Sequence, residues 1–122
     1  MHTEILLIGA GVTGCALARV LSRYDVQVTV IDRGADVAEG ASKANSGILH
    51  AGFDAHPGTM KAKLNVEGAN MYPALCRELG VPYGQPGALV IGFDEDDRKT
   101  LENLVQQGVE NGVPGVRLIE RE

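Results

Sequence analysis

Three glycines at fixed spacing, Gly9-Ala10-Gly11-Val12-Thr13-Gly14, follow directly on the apolar run Ile5-Leu6-Leu7-Ile8. After them Cys15, Ala16, Leu17, Ala18, Val20 and Leu21 recur at helical spacing, and a second β-branched run, Val26 to Ile31, ends in Asp32. The pattern predicts strand, tight turn, helix, strand. Each glycine has a physical task if a dinucleotide lies on the turn. Gly9 lets the chain turn as it leaves the strand, Gly11 lets the backbone approach a pyrophosphate, and Gly14 lets the helix pack closely. The first helical N–H groups of Val12 and Thr13 have no intrahelical acceptor and point, with the positive end of the helix dipole, at the phosphates. Asp32 lies about 20 residues past the glycines, where a carboxylate can accept both ribose hydroxyls. The same acid argues against a 2′-phosphate, because two anions would then face each other. Glycine triplets alone are weak evidence, but here the strand, the helix and the acid all stand in the required places.

The chain has 122 residues, which suits one domain of modest core. A net charge of −5 gives no basic footprint, so no nucleic-acid partner is expected. No apolar run approaches the ~20 residues of a membrane span, so no transmembrane segment is expected either. Met1 to Glu4 lead at once into strand, leaving no room for a signal peptide, and the cytosol is the default compartment. Cys15 and Cys76 form no metal or redox pair by spacing; both read as reduced packing residues on helices.

Gly34 to Asn45 breaks the pattern where a further crossover helix would be expected, with at most a helical turn at Asp36–Glu39. Then comes Ala41-Ser42-Lys43-Ala44-Asn45-Ser46-Gly47-Ile48-Leu49-His50-Ala51-Gly52. Its small residues suit close approach to a flat ligand. Ser42, Asn45 and Ser46 can bond a phosphate or ribose with Lys43 nearby, although composition alone favours an ordinary polar loop. Pro57-Gly58 makes a turn and Thr59 can cap a following helix. In that helix Met60, Leu64, Met71, Leu75 and Leu79 form an apolar stripe expected to face a core, Pro73 is expected to kink or split it, and Gly80 suits its C-terminal cap. Lys61 and Lys63 read as a solvated face. Ala88 to Phe93 reads as a strand. Asp94-Glu95-Asp96-Asp97 reads as a cap and first turn, favoured over a metal site, so no metal ligands are assigned. The helix runs to about Asn111 with Leu101, Leu104, Val105, Gly108 and Val109 facing inward, and Val116 to Ile119 reads as a last strand.

The glycine motif, Ile31-Asp32-Arg33, and the stretch Ala41 to Gly52 together resemble the FAD-dependent oxidoreductases of the D-amino-acid-oxidase superfamily. Within it the chain is most similar to the FAD-dependent glycerol-3-phosphate dehydrogenase group, with the L-2-hydroxyglutarate oxidase group next. The second stretch separates this superfamily from NAD-binding Rossmann enzymes. The resemblance implies an α/β fold: a partial Rossmann-type βαβ FAD-binding unit over residues 1–80, followed by the start of a mixed α+β substrate domain over 81–122. It implies that the ADP half of FAD lies on Gly9, Gly11 and Gly14, with ribose on Asp32 and Arg33 beside the adenosine. Ser42, Lys43, Asn45, Ser46 and Gly47 would follow the pyrophosphate and ribityl chain, and His50 would come near the isoalloxazine ring. Some relatives attach the flavin through a histidine in this region; the most similar groups hold it without a bond. His50 is the catalytic candidate on this motif, as a base or, more in keeping with its place, as packing at the flavin edge. The implied substrate is a small molecule, glycerol 3-phosphate or a 2-hydroxy acid. Asp32 stands where Glu is commoner in the superfamily. These enzymes are several times longer, so the resemblance implies an N-terminal piece of a larger enzyme, peripheral to a membrane at most. Such a piece is expected to lack activity alone and to self-associate through an open sheet edge.

Overall fold

The computed structural model describes residues 2–120 and divides into two compact units, Met1–Ile48 and Leu49–Glu122. The first unit holds β1 (Ile5–Ile8), α1 (Val12–Leu21) and β2 (Val28–Ile31). β1 and β2 pair in parallel, with Ile5 opposite Val28 and Ile8 opposite Ile31. This is the βαβ order that the glycine-interrupted pattern predicts. The ladder extends one step into the turn, where Gly9 N–H donates to the Ile31 carbonyl at 2.8 Å. Gly9 has φ +109°, a conformation that residues with a Cβ rarely adopt. A Cβ on Gly14 would stand 1.9 Å from the Gly9 carbonyl oxygen, so the crossing of α1 over the end of β1 requires glycine there. Cys15, expected in a core, is exposed instead; its Sγ donates to the Ala10 carbonyl at 3.3 Å. No side chain of α1 is fully buried and Ile8 is 82% exposed, because among the described residues β1 and β2 form a sheet of two strands that α1 covers only in part, on one face. From Asp36 to Glu39 the chain makes turns rather than a helical segment, and Ala38 takes φ +62°.

The second unit contains α2 (Met60–Leu79) and α3 (Glu95–Glu110). Both begin where their sequence caps predict. Thr59 Oγ1 accepts from Ala62 N–H at 3.2 Å, and Asp94 Oδ1 accepts from Asp96 and Asp97 N–H at 3.0 and 2.9 Å. The acids of α3 therefore serve its first turn: Asp97 Oδ2 also holds Phe93 N–H at 2.9 Å and Asp96 pairs with Lys99. α2 ends at Gly80 in the left-handed conformation, φ +65°. Lys61 and Lys63 are solvated, as read.

Four expectations need correction here. Pro73 does not split α2, which runs unbroken through it. The stripe Met60, Leu64, Met71 and Leu79 is largely exposed; the residues of α2 that are buried are Ala62 and Cys76. Its packed side is small because it lies against backbone: Gly52 is buried, and a Cβ there would come within 3.0 Å of Val66 Cγ2. On α3, Leu101, Leu104 and Val105 are half-buried and Gly108 buried as expected, but Val109 is exposed. Ala88–Phe93 and Val116–Ile119 form no strands: each lacks a partner among the described residues, and a strand exists only through its ladder. Leu89 and Phe93 are left 78% and 90% exposed.

The segment from Gly52 to Ala55 is tied to α3 by side chains. Gln107 Nε2 donates to the Phe53 carbonyl at 2.9 Å, and Asn111 Nδ2 donates to the Gly52 and Ala55 carbonyls at 2.9 and 2.6 Å. These bonds satisfy backbone acceptors in a segment that has no ladder of its own, and Ala55 is the most buried apolar residue described, 1% exposed. No helix is long and apolar enough to cross a membrane among the described residues.

Candidate functional site

The first unit carries a cleft of about 540 Å³ along the carboxyl ends of β1 and β2, lined by Gly11, Asp32, Arg33, Gly34, Glu39, Gly40, Ala41 and Ser42. It sits where open parallel sheets place nucleotide ligands. One wall is the start of α1. Gly11 caps this helix with no side chain, and the acceptor for the first helical N–H comes from elsewhere: Val12 N–H donates to Ser42 Oγ at 2.9 Å. A Cβ on Gly11 would lie 3.2 Å from that hydroxyl, so Gly11 and Ser42 face each other at the helix start.

The opposite wall is Asp32. Its Oδ2 accepts from Ala10 N–H at 2.7 Å and its Oδ1 from Gly34 N–H at 2.8 Å. Those two bonds, the Ala10 one foremost, hold its carboxyl below the usual carboxylate range; the positive charge of Arg33 helps, and partial desolvation opposes them. Asp32 is therefore an acceptor throughout the physiological range. With Glu39 it sets two carboxylates against one lining guanidinium, Arg33, a balance that suits hydroxyl groups better than an additional phosphate.

Of the residues singled out in the sequence, Gly11, Asp32, Arg33 and Ser42 line the cleft. Gly9, Val12, Thr13 and Gly14 build the turn and helix start behind it. Asn45 is spent on the loop itself: its Nδ2 donates to the Ser42 carbonyl and its Oδ1 accepts from Gly47 N–H at 2.7 Å. Gly47 takes φ +66°, and Lys43 and Ser46 are exposed without lining the cleft. His50 is exposed and belongs to the second unit. Sequence reasoning passed over Gly34, Glu39 and Gly40 as lining residues. The loop-forming break after Asp32 was their sign: a Cβ on Gly34 would meet Glu39 Oε2 at 2.6 Å, so a larger residue there would displace the Glu39 carboxylate.

Residues 4–122 match the family described as FAD dependent oxidoreductase. The chain belongs to this family. It is 50% identical over 119 residues to glycerol 3-phosphate dehydrogenase of Caloramator mitchellensis, covering 98% of this chain and 25% of that protein. It is 35% identical to the mitochondrial L-2-hydroxyglutarate dehydrogenase of Homo sapiens, covering 98% of this chain and 26% of the relative. Among solved structures, the dithionite-reduced L-alpha-glycerophosphate oxidase of Mycoplasma pneumoniae with FAD bound is similar, with a TM-score of 0.81 at 33% identity over 94% of this chain and 30% of that one. The family member described here thus spans about a quarter of the length of its curated relatives.

Proposed function

We propose that this chain is the FAD-binding portion of a flavin-dependent enzyme that oxidises glycerol 3-phosphate. The observation that carries the cofactor half of this reading is the cleft between the Gly11–Val12 helix start and Asp32. Its residues fit the ADP half of FAD. The start of α1 offers amides and dipole to the pyrophosphate, Gly11 keeps the approach open, Ser42 can donate its own proton to a phosphate oxygen, and Asp32 can accept ribose hydroxyls. When bound, FAD supplies the acceptor for a hydride leaving the carbon that bears the substrate hydroxyl. This chain's part is to hold and orient it. The identity of 50% to a glycerol 3-phosphate dehydrogenase, against 35% to an L-2-hydroxyglutarate dehydrogenase, supports the three-carbon phosphate as substrate over a 2-hydroxy acid.

Uncovered apolar surface supports a larger protein. The chain exposes 9895 Å². Two separate globules of half its mass would together expose only about 7,600 Å². The excess includes the unpaired outer edge of β1 and the apolar segment Leu89–Phe93, surfaces that the rest of a protein four times as long would cover. By itself the 122-residue chain self-associates through them and turns over no substrate.

The test uses the full-length protein. After incubation with FAD and desalting, its absorbance should show bound oxidised flavin, and dye reduction should follow glycerol 3-phosphate rather than L-2-hydroxyglutarate. Gly11→Val should abolish flavin retention with the fold kept. Full-length protein that retains no flavin overturns the cofactor reading; flavoprotein that reduces dye only with L-2-hydroxyglutarate overturns the substrate. Light scattering on the 122-residue chain tests self-association, which a stable monomer refutes.

A further inference from the structure

Ala10, the residue between the first two glycines, is held by both of its backbone groups. Its N–H donates to Asp32 Oδ2 at 2.7 Å, and its carbonyl accepts from Ala38 N–H at 2.9 Å. It is 5% exposed, buried beneath the loop that follows β2. Two residues on, Val12 N–H is held by Ser42 from the same loop. Asp32 meanwhile grips its own loop through Gly34 N–H. A glycine-bracketed turn has many conformations to lose on binding a ligand, and these bonds remove that freedom beforehand.

From this geometry we infer that Asp32 is a positioning residue for the phosphate-facing turn, in addition to any contact it makes with a ribose. The inference rests on the reading of the cleft as the ADP subsite of FAD and deepens it. A carboxylate has about four acceptor positions. Two are taken by Ala10 and Gly34, one on each oxygen, and the other two remain for ribose hydroxyls. The two roles are therefore simultaneous. The carboxylate is the mechanical link between sugar recognition and the shape of the turn that receives the phosphates. An asparagine of the same size cannot do this, because its amide nitrogen is a donor and would face one of the two N–H groups.

The two roles separate with ligands that differ only at the sugar. ADP carries both ribose hydroxyls, and 2′,3′-dideoxy-ADP carries neither. Calorimetric titration of the full-length FAD-free protein and of Asp32→Asn with each ligand decides the matter. If Asp32 positions the turn, Asp32→Asn weakens dideoxy-ADP as well as ADP, by roughly tenfold, the loss of about one charged hydrogen bond. Asp32→Asn that weakens ADP but leaves dideoxy-ADP unchanged overturns the inference, since the carboxylate then serves the sugar alone. A second measurement needs only the unaltered protein. Hydrogen exchange should find the Ala10 amide protected without any nucleotide, and an Ala10 amide exchanging as fast as an unstructured turn overturns the inference equally. Unaltered protein that binds neither ADP nor FAD would refute the cofactor reading, while the exchange at Ala10 would still report whether Asp32 holds the turn.

Discussion

Gly14→Ala should unfold the first unit more readily, and the structure sets the size of the effect. In a helix interior, glycine to alanine gains about 1 kcal/mol from reduced backbone freedom. Here the new methyl would stand 1.9 Å from the Gly9 carbonyl oxygen and 3.1 Å from its carbon. Both atoms are backbone, so no rotamer change relieves the overlap. α1 must move off the end of β1 by more than an ångström, breaking the fit of the turn. Overpacking of this kind costs about 1–3 kcal/mol, occasionally more, and at 1.9 Å the upper end applies. The net loss is about 2 kcal/mol. With a urea slope on the order of 1–3 kcal/mol per molar, the midpoint should fall by about 1 M. Gly11→Ala is the control. Gly11 sits at φ −75°, ψ −175°, open to any residue, and its new methyl would meet only the Ser42 hydroxyl at 3.2 Å, a side-chain atom that need give way by only a few tenths of an ångström and can keep its bond to Val12 N–H. Its loss should stay under about 1 kcal/mol, the difference between glycine and alanine as a helix cap. Urea unfolding without FAD keeps cofactor linkage out of the comparison. Equal midpoints for Gly14→Ala and the unaltered protein would refute the steric argument, and so would Gly11→Ala losing as much as Gly14→Ala.

Ala38→Gly should stabilise the first unit by about 1 kcal/mol, because Ala38 is held at φ +62°, where a Cβ is strained; the urea midpoint should rise. Asn111→Ala removes the donor to the Gly52 and Ala55 carbonyls and should cost about 1–3 kcal/mol, with faster hydrogen exchange concentrated between residues 52 and 56. Asp32 has a folded pKa lowered from 3.8, so its contribution to stability is fully present above that value and is lost as pH falls through the folded one. Between pH 5 and 8 the contribution should be flat, and a carboxyl NMR titration should find Asp32 ionising below 3.8, an outcome that a midpoint at or above this value would refute.

What the sequence disclosed and what it hid divide along the range of the interactions involved. The βαβ unit was legible because its determinants are neighbours. Ile5–Ile8 supplies a strand, Gly9 a turn that only glycine makes easily, and Gly14 the close crossing. The caps were legible for the same reason: Thr59 and Asp94 bond amides two or three residues away, and Gly80 closes its own helix. The stripe of α2 misled because periodicity shows which side is apolar and not what lies against it. The buried residues of this helix are Ala62 and Cys76, and Gly52 comes against it at Asn65 and Val66; small residues leave a faint periodic trace. Ala88–Phe93 misled in the opposite sense. Its composition suits a strand, but a strand is a relation between two segments, and no segment among the described residues pairs with it.

The candidate site shows the same division within a single residue. The place of Asp32 at the tip of β2 follows from spacing, and so does its capacity to meet a ribose. Its bond to Ala10 does not, because 22 residues separate the two and only the folded loop brings the carboxylate back over the turn. Ser42 is alike: a polar residue in a polar loop by composition, yet the cap of a helix that begins 30 positions earlier. Both partners are main-chain amides, which leave no mark of their own in a sequence. Where a site is made by side chains reaching distant backbone, the sequence names the side chains and the fold alone names what they hold.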